Sequence, residues 1–204
     1  MGLLDAFRAR PPIRDLPALA DFIDENAAFV VQKGIYEYSR ARSGHYAKVL
    51  FSESAFREAV ERSRWSAYPL GLAMVTELVE GVLRGHVADR RDSLLVGLSA
   101  VVLAAFGRYP APAALSEVDW RDARRELERR LGLIGIHPVK QAKDIPEPFA
   151  EVYFALLPID HEVRASEFPT IRNYLRVSLC NVHEEFSKRA DASALAALLS
   201  ASHG

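Results

Sequence analysis

The chain is poor in cysteine: Cys180 is the only one in 204 residues. A single cysteine excludes an intramolecular disulfide and any site built from several thiolates. Histidines are few and scattered. The six are His45, His86, His137, His161, His183 and His203, and none stands three or four residues from another, so no helix offers a two-histidine metal face. No glycine-rich phosphate loop occurs, and Gly132-Leu-Ile-Gly135 reads as a helix ending. Gly97-Leu-Ser-Ala-Val101 is one residue away from a Gly-x-Ser-x-Gly motif. It lies inside a helical stretch, without the strand-to-helix turn that exposes a nucleophilic serine. Neither sign of charge prevails: 26 Lys and Arg stand against 27 Asp and Glu, a net charge of −1. The whole molecule therefore has no electrostatic drive toward nucleic acid or anionic membrane. Strand-like alternation bounded by turn signals, internal repeats and low-complexity tracts are also missing.

What remains is helical patterning. The longest charge-free stretch runs from Ser93 to Gly107, between Asp92 and Arg108. A membrane span needs about 20 apolar residues, so this stretch reads as a buried helix. Gly97, Ala100 and Ala104 share one side, open to close approach by another helix, and Leu95, Leu98, Val102 and Phe106 fill much of the rest. The expected fold is a single all-α domain over residues 15–204, a bundle of about seven to nine helices around a central apolar helix at 93–107. Residues 1–14 form an N-terminal tail that docks through Leu3, Leu4 and Phe7. Met1-Gly-Leu-Leu-Asp5 carries an acid too early for a signal peptide, and Ala6 stands where a myristoylation signal wants Ser or Thr, so a cytoplasmic location is expected.

The periodicity places the other helices. Asp15-Leu-Pro17 opens one whose inward residues are Leu19, Ile23, Ala27, Val30, Gly34 and Tyr38. It runs through Gly34 to about Arg42, with a break at Gly34 as the alternative. A helix over 52–65 and another over 69–84 are expected to meet at Ser66-Ala-Tyr-Pro69, because the residue before a proline avoids the α region. Asp89 or Asp92 caps the apolar helix. Ser116-Glu-Val-Asp119 reads as a capping box for a helix with Trp120, Ala123, Leu127 and Leu131 inward. Pro148 to Leu157 is a helix with Phe149, Val152, Tyr153 and Leu156 inward. The last long helix carries Ile171, Leu175, Leu179, Val182 and Phe186, and Asp191 caps a short C-terminal one.

Candidate chemistry is sparse. Glu77 and Glu80 lie on an otherwise apolar helix, but the helical wheel puts them with Thr76 and Arg84 on one strip, read as solvated, with Glu80 paired to Arg84. Arg64, Trp65 and Tyr68 cluster at a helix junction, and large aromatics with one polar end suit a pocket mouth or a partner surface. Arg172, Arg176 and His183 share an edge of the last long helix, where they could hold a carboxylate or phosphate. Cys180 reads as a buried, inert thiol. Arg121, Arg124, Arg125, Arg129 and Arg130 are interleaved with Asp122, Glu126 and Glu128, so that helix carries intrahelical pairs and not a basic face.

The stretch Ser43-Gly-His-Tyr-Ala-Lys-Val-Leu-Phe-Ser-Glu-Ser-Ala-Phe-Arg57 resembles the reading head of TetR-type repressors, where a Tyr-x-x-Phe turn precedes a helix like 53–65. The resemblance implies a DNA-binding regulator. The Ile-Ala and Ala-Gly pairs of that family are absent, and the N-terminal region is short of the basic residues that phosphate contacts use. Three functional readings follow, in order. The first is a binding protein that holds a protein partner, or an apolar small ligand, neutral or anionic, between its helices, with Arg64, Trp65, Tyr68, Arg172, Arg176 and His183 as candidate contacts. The second is an enzyme using His183 with Arg172 or Arg176. The third is the TetR-like regulator. The first expects no nucleic acid, no metal and no transmembrane segment; a homodimer fits any of the three, and the cofactor is left open.

Overall fold

Asp15 starts the first helix, its carboxylate accepting the amide N–H of Ala18 at 2.8 Å. The chain then stays helical through α1 (Leu16–Ala27), a π-helical segment (Ala28–Lys33) and α2 (Gly34–Ser43). The helix runs through Gly34, as the apolar spacing predicts. A Cβ at Gly34 would stand 2.7 Å from the Tyr153 hydroxyl and from the Tyr174 ring. The widened π turn leaves carbonyl groups to be satisfied from outside. Tyr174 donates its hydroxyl hydrogen to the Val30 carbonyl at 3.0 Å, and Tyr153 donates to Val31 at 3.2 Å. The computed structural model describes residues 11–87 and 91–201. The apolar cluster Leu3, Leu4 and Phe7, the Asp89 cap and His203 lie outside them.

After Gly44 (φ 51°) comes α3 (Ala47–Leu50), a single turn within the stretch that resembles a repressor reading head. Next is α4 (Ser54–Leu83), one continuous helix where the sequence predicts two. Pro69 sits inside it, although an interior proline forfeits one backbone hydrogen bond and costs about 3 kcal/mol in an isolated helix. Tertiary burial outweighs that cost, since every residue from Ala67 to Glu80 is buried. Helices α1, α5 (Arg91–Phe106), α6 (Glu117–Leu131) and α9 (Phe168–Arg189) and the π segment all pack on α4.

The helix expected at the centre, 93–107, is therefore on the flank. Leu94, Leu98, Val102 and Phe106 of α5 are buried, but Val96, Ala100 and Ala104 face outward. A charge-free sequence does not require burial on every side, because alanine and a single valine cost little at a surface. Gly97 does meet another helix: a Cβ there would overlap the carbonyl oxygen of Leu199 on α10 (Ala192–Ala201).

The remaining elements follow the pattern closely. Ser116 and Asp119 form the capping box of α6. Ile171, Leu175, Leu179, Val182 and Phe186 of α9 are all buried. Helix α7 (Ala150–Ala155) is shorter than predicted, and Val152 is exposed. Its C-terminal carbonyls are capped by Arg164 at the end of α8 (His161–Arg164), which donates to Phe154, to Ala155 at 3.3 Å and to Ile159 at 2.8 Å. The N-terminal segment docks through Ile13, buried and bonded to the carbonyl of Arg189 at 2.9 Å and to the N–H of Asp191 at 3.0 Å. The fold is all-α: this isolated bridge is the only β-type pairing among the described residues, and none of their helices is long and apolar enough to cross a membrane.

Close packing at Gly97 gives a contrast. Gly97→Ala should lose about 1–3 kcal/mol, because backbone blocks the new methyl. Gly85→Ala, with nothing within 4 Å, should change stability by less than about 0.5 kcal/mol. Urea unfolding of the two variants checks the pair.

Candidate functional site

The junction picked out by sequence divides three ways. Tyr68 points into the core, 1 % exposed, and donates its hydroxyl hydrogen to Asp24 Oδ1 at 2.6 Å. Trp65 is half-buried at the edge of the same aromatic cluster. Its ring lies 5.8 Å from Tyr68, 5.4 Å from Tyr109 and 5.9 Å from Trp120. Arg64 turns to the other side and pairs with Glu61. Trp65 therefore supplies an aromatic wall, Tyr68 supports it from behind, and Arg64 lines a separate depression of about 450 Å³ with Phe29, Lys33 and Tyr36.

Trp65 opens onto a groove of about 750 Å³ between the start of α4 and the Pro112–Ala114 connection. Tyr36, Phe51, Val60 and Trp65 form its apolar lining. Arg57, Glu58, Glu61 and Arg62 project along it with both signs of charge. Arg57 is fixed by donating to the carbonyls of Phe51 at 3.1 Å and Ser52 at 2.8 Å, and Arg62 reaches Ala114 O at 3.4 Å. Tyr36 and Phe51 meet edge to face at 5.4 Å. Tyr36 belongs to both depressions, so the groove continues into a surface that also exposes Phe29, 49 % accessible.

Arg172 and Arg176 come together, but on Glu147. The Arg172 guanidinium stands 3.0 Å from Glu147 Oε2, and Arg176 donates to the carbonyl of Lys143 at 3.1 Å. They bind the 142–147 segment to α9. His183 is exposed further along the helix and joins no such cluster. Cys180, expected to be buried, is exposed.

The solvated strip at Glu77 and Glu80 is overturned, for both are buried. Glu80, 1 % exposed, is held by Arg84 through two bonds of 2.8 and 2.6 Å, the pairing expected from the four-residue spacing. Arg84 also donates to the carbonyl of His137 at 3.0 Å, so this pair anchors the 132–149 connection. Glu77 faces that connection: Lys140 Nζ lies 2.8 Å from its Oε1, and His137 Nε2 lies 3.5 Å away. Sequence offered a signal. A solvated strip should continue in polar residues, yet Leu70, Ala73 and Gly81 flank Glu77 at the helical spacings.

Sequence reasoning also missed Asp24. It is buried and accepts from Tyr68, from Tyr109 at 2.9 Å and from Arg108 at 3.4 Å. Ala20 and Ala27, its apolar neighbours on the helix, were the available sign. Burial, then the hydrogen bond to Asp24, pushes the Tyr68 and Tyr109 hydroxyls above the ordinary tyrosine range. Burial does the same to Tyr153 and Tyr174. Among the described residues, no three His, Cys, Asp or Glu side chains converge as metal ligands would. No protein-family model, curated protein or solved structure matches the chain.

The tyrosines set an alkaline limit. Their hydroxyl pKa values are higher folded than unfolded, so stability is full below about pH 10 and falls above it, where the unfolded chain loses protons first. Urea midpoints between pH 8 and 11.5 should stay level and then drop. A midpoint that rises above pH 10 would contradict the arrangement.

Proposed function

We propose that this protein works by binding, and that its working surface is the groove beside Trp65, which takes apolar and aromatic side chains presented by a partner protein. The observation that carries the reading is the continuity of exposed aromatic surface. Tyr36 links the groove lined by Phe51, Val60 and Trp65 to the neighbouring depression with Phe29. Exposed aromatic surface rimmed by charge is the usual character of a protein contact surface, with the rings as anchors and the charges as rim.

The local architecture supports the same reading. Behind Trp65 the cluster of Tyr68, Phe106, Tyr109 and Trp120 is closely stacked, with Phe106 and Trp120 at 4.3 Å and 20°. A wall held this way loses little side-chain freedom when a partner meets it, which reduces the entropic cost of association. The alternation of Arg57, Glu58, Glu61 and Arg62 favours a partner of mixed charge over a polyanion.

Site-specific photo-crosslinking in the native cell tests this. A crosslinking amino acid at Tyr36 or Arg62 should capture the same partner peptide, while one at Arg125, exposed on α6, should not. Equal capture at all three positions, or none at Tyr36 and Arg62, would remove the proposal.

A further inference from the structure

A second cavity, separate from the groove, lies between α4, the end of α6 and the 132–149 connection, with a volume of about 300 Å³. That is the lower end of the range for small-molecule sites. Ala73, Leu133, Ile134, Ile136, Pro148 and Phe149 make its walls apolar. Leu133 and Ile136 remain 48 % and 73 % exposed at its mouth.

Glu77 is the acidic group among Arg130, His137 and Lys140 on this lining, and it is more than nine-tenths buried. A buried carboxylate ordinarily accepts several directed hydrogen bonds. Among the described residues, Glu77 Oε1 meets no directed hydrogen-bond donor. Lys140 Nζ approaches Oε1 at 2.8 Å as an ion contact without hydrogen-bond direction, and His137 stands off at 3.5 Å. Lys140 comes from an irregular connection and is itself only partly buried. Its alkyl ammonium group thus occupies the place that a ligand of the same chemistry would take. Arg130, a second cation at this cavity, has its guanidinium 2.8 Å from Glu126 and 5.0 Å over the Phe149 ring. That contact also marks the ring face as one that accepts a cation.

We propose that this cavity is a binding site for a small primary amine with an apolar body, the ammonium on Glu77 and the hydrocarbon against Ala73, Ile134 and Phe149. Lys140 acts as a built-in competitor that covers the carboxylate when the site is empty and swings out when an amine enters. The charge logic favours an amine over an acid. A carboxylate ligand would meet the Glu77 carboxylate at the wall, whereas an ammonium ligand replaces the Lys140 ammonium like for like.

Calorimetric titration of the full chain with hexylamine, hexanol and hexanoate tests the assignment. Hexylamine should bind saturably with a submillimolar Kd, at least tenfold more tightly than either comparison compound. Lys140→Ala, which removes the competitor, should tighten hexylamine binding severalfold. Glu77→Gln should abolish the preference for the amine, its circular dichroism confirming a folded chain. Hexanoate binding as tightly as hexylamine, weaker amine binding in Lys140→Ala, or no saturation by 10 mM hexylamine would each overturn the proposal. The Lys140→Ala arm needs no change at a buried position, so it stands even where Glu77→Gln fails to fold.

Discussion

Burial of the second half of α4 on all sides holds the rest of the structure in place. From Ala67 to Glu80 no side of the helix faces water. A helix in that position needs neighbours all round, and α1 with the π segment, α5, α6 and α9 provide them. It also needs a partner for each polar group it carries. Glu80 has Arg84, Thr76 donates its hydroxyl to the Leu72 carbonyl at 2.6 Å, and Glu77 has the off-axis approach of Lys140 with His137 at 3.5 Å. The completeness of the first two makes the third stand out. The same burial offsets the cost of Pro69 and joins two predicted helices into one.

Polar groups at the periphery of this core serve mainly to fasten segments to it. Arg84 holds the connection after α6, Arg172 and Arg176 hold the segment before α7, and Arg164 closes the end of α7. Arg42 and Tyr38 hold Glu167 at the start of α9. Burial and that carboxylate push the Tyr38 hydroxyl up to about 12. Much of what resembles a reactive cluster in a list of residues is thus structural fastening. The groove beside Trp65 and the cavity at Glu77 are left as places where apolar surface and polar groups face a space large enough for another molecule.

The fold was largely legible because helical periodicity is a local property. The stripe of α9, the capping box of α6 and the passage through Gly34 all rest on residues within a few turns of one another. Three features were not legible for one shared reason. The position of α5 on the flank, the segment that covers Glu77 and the unbroken course of α4 are decided by which residues lie opposite, although the apolar neighbours of Glu77 on its own helix were a local sign of its burial. The candidate site was half legible. Trp65 was placed at a groove, but the sequence could not show that Tyr68 turns inward to Asp24 or that Arg172 and Arg176 are taken up by Glu147.

Amide hydrogen exchange of the native protein, resolved by residue, tests the central role of α4 most directly. Exchange should be slowest in the buried half of α4, near the rate set by global unfolding, with the outward amides of α5 around Val96, Ala100 and Ala104 exchanging faster. Slowest exchange in α5, with residues 70–80 exchanging as quickly as the outer face of α6, would contradict it.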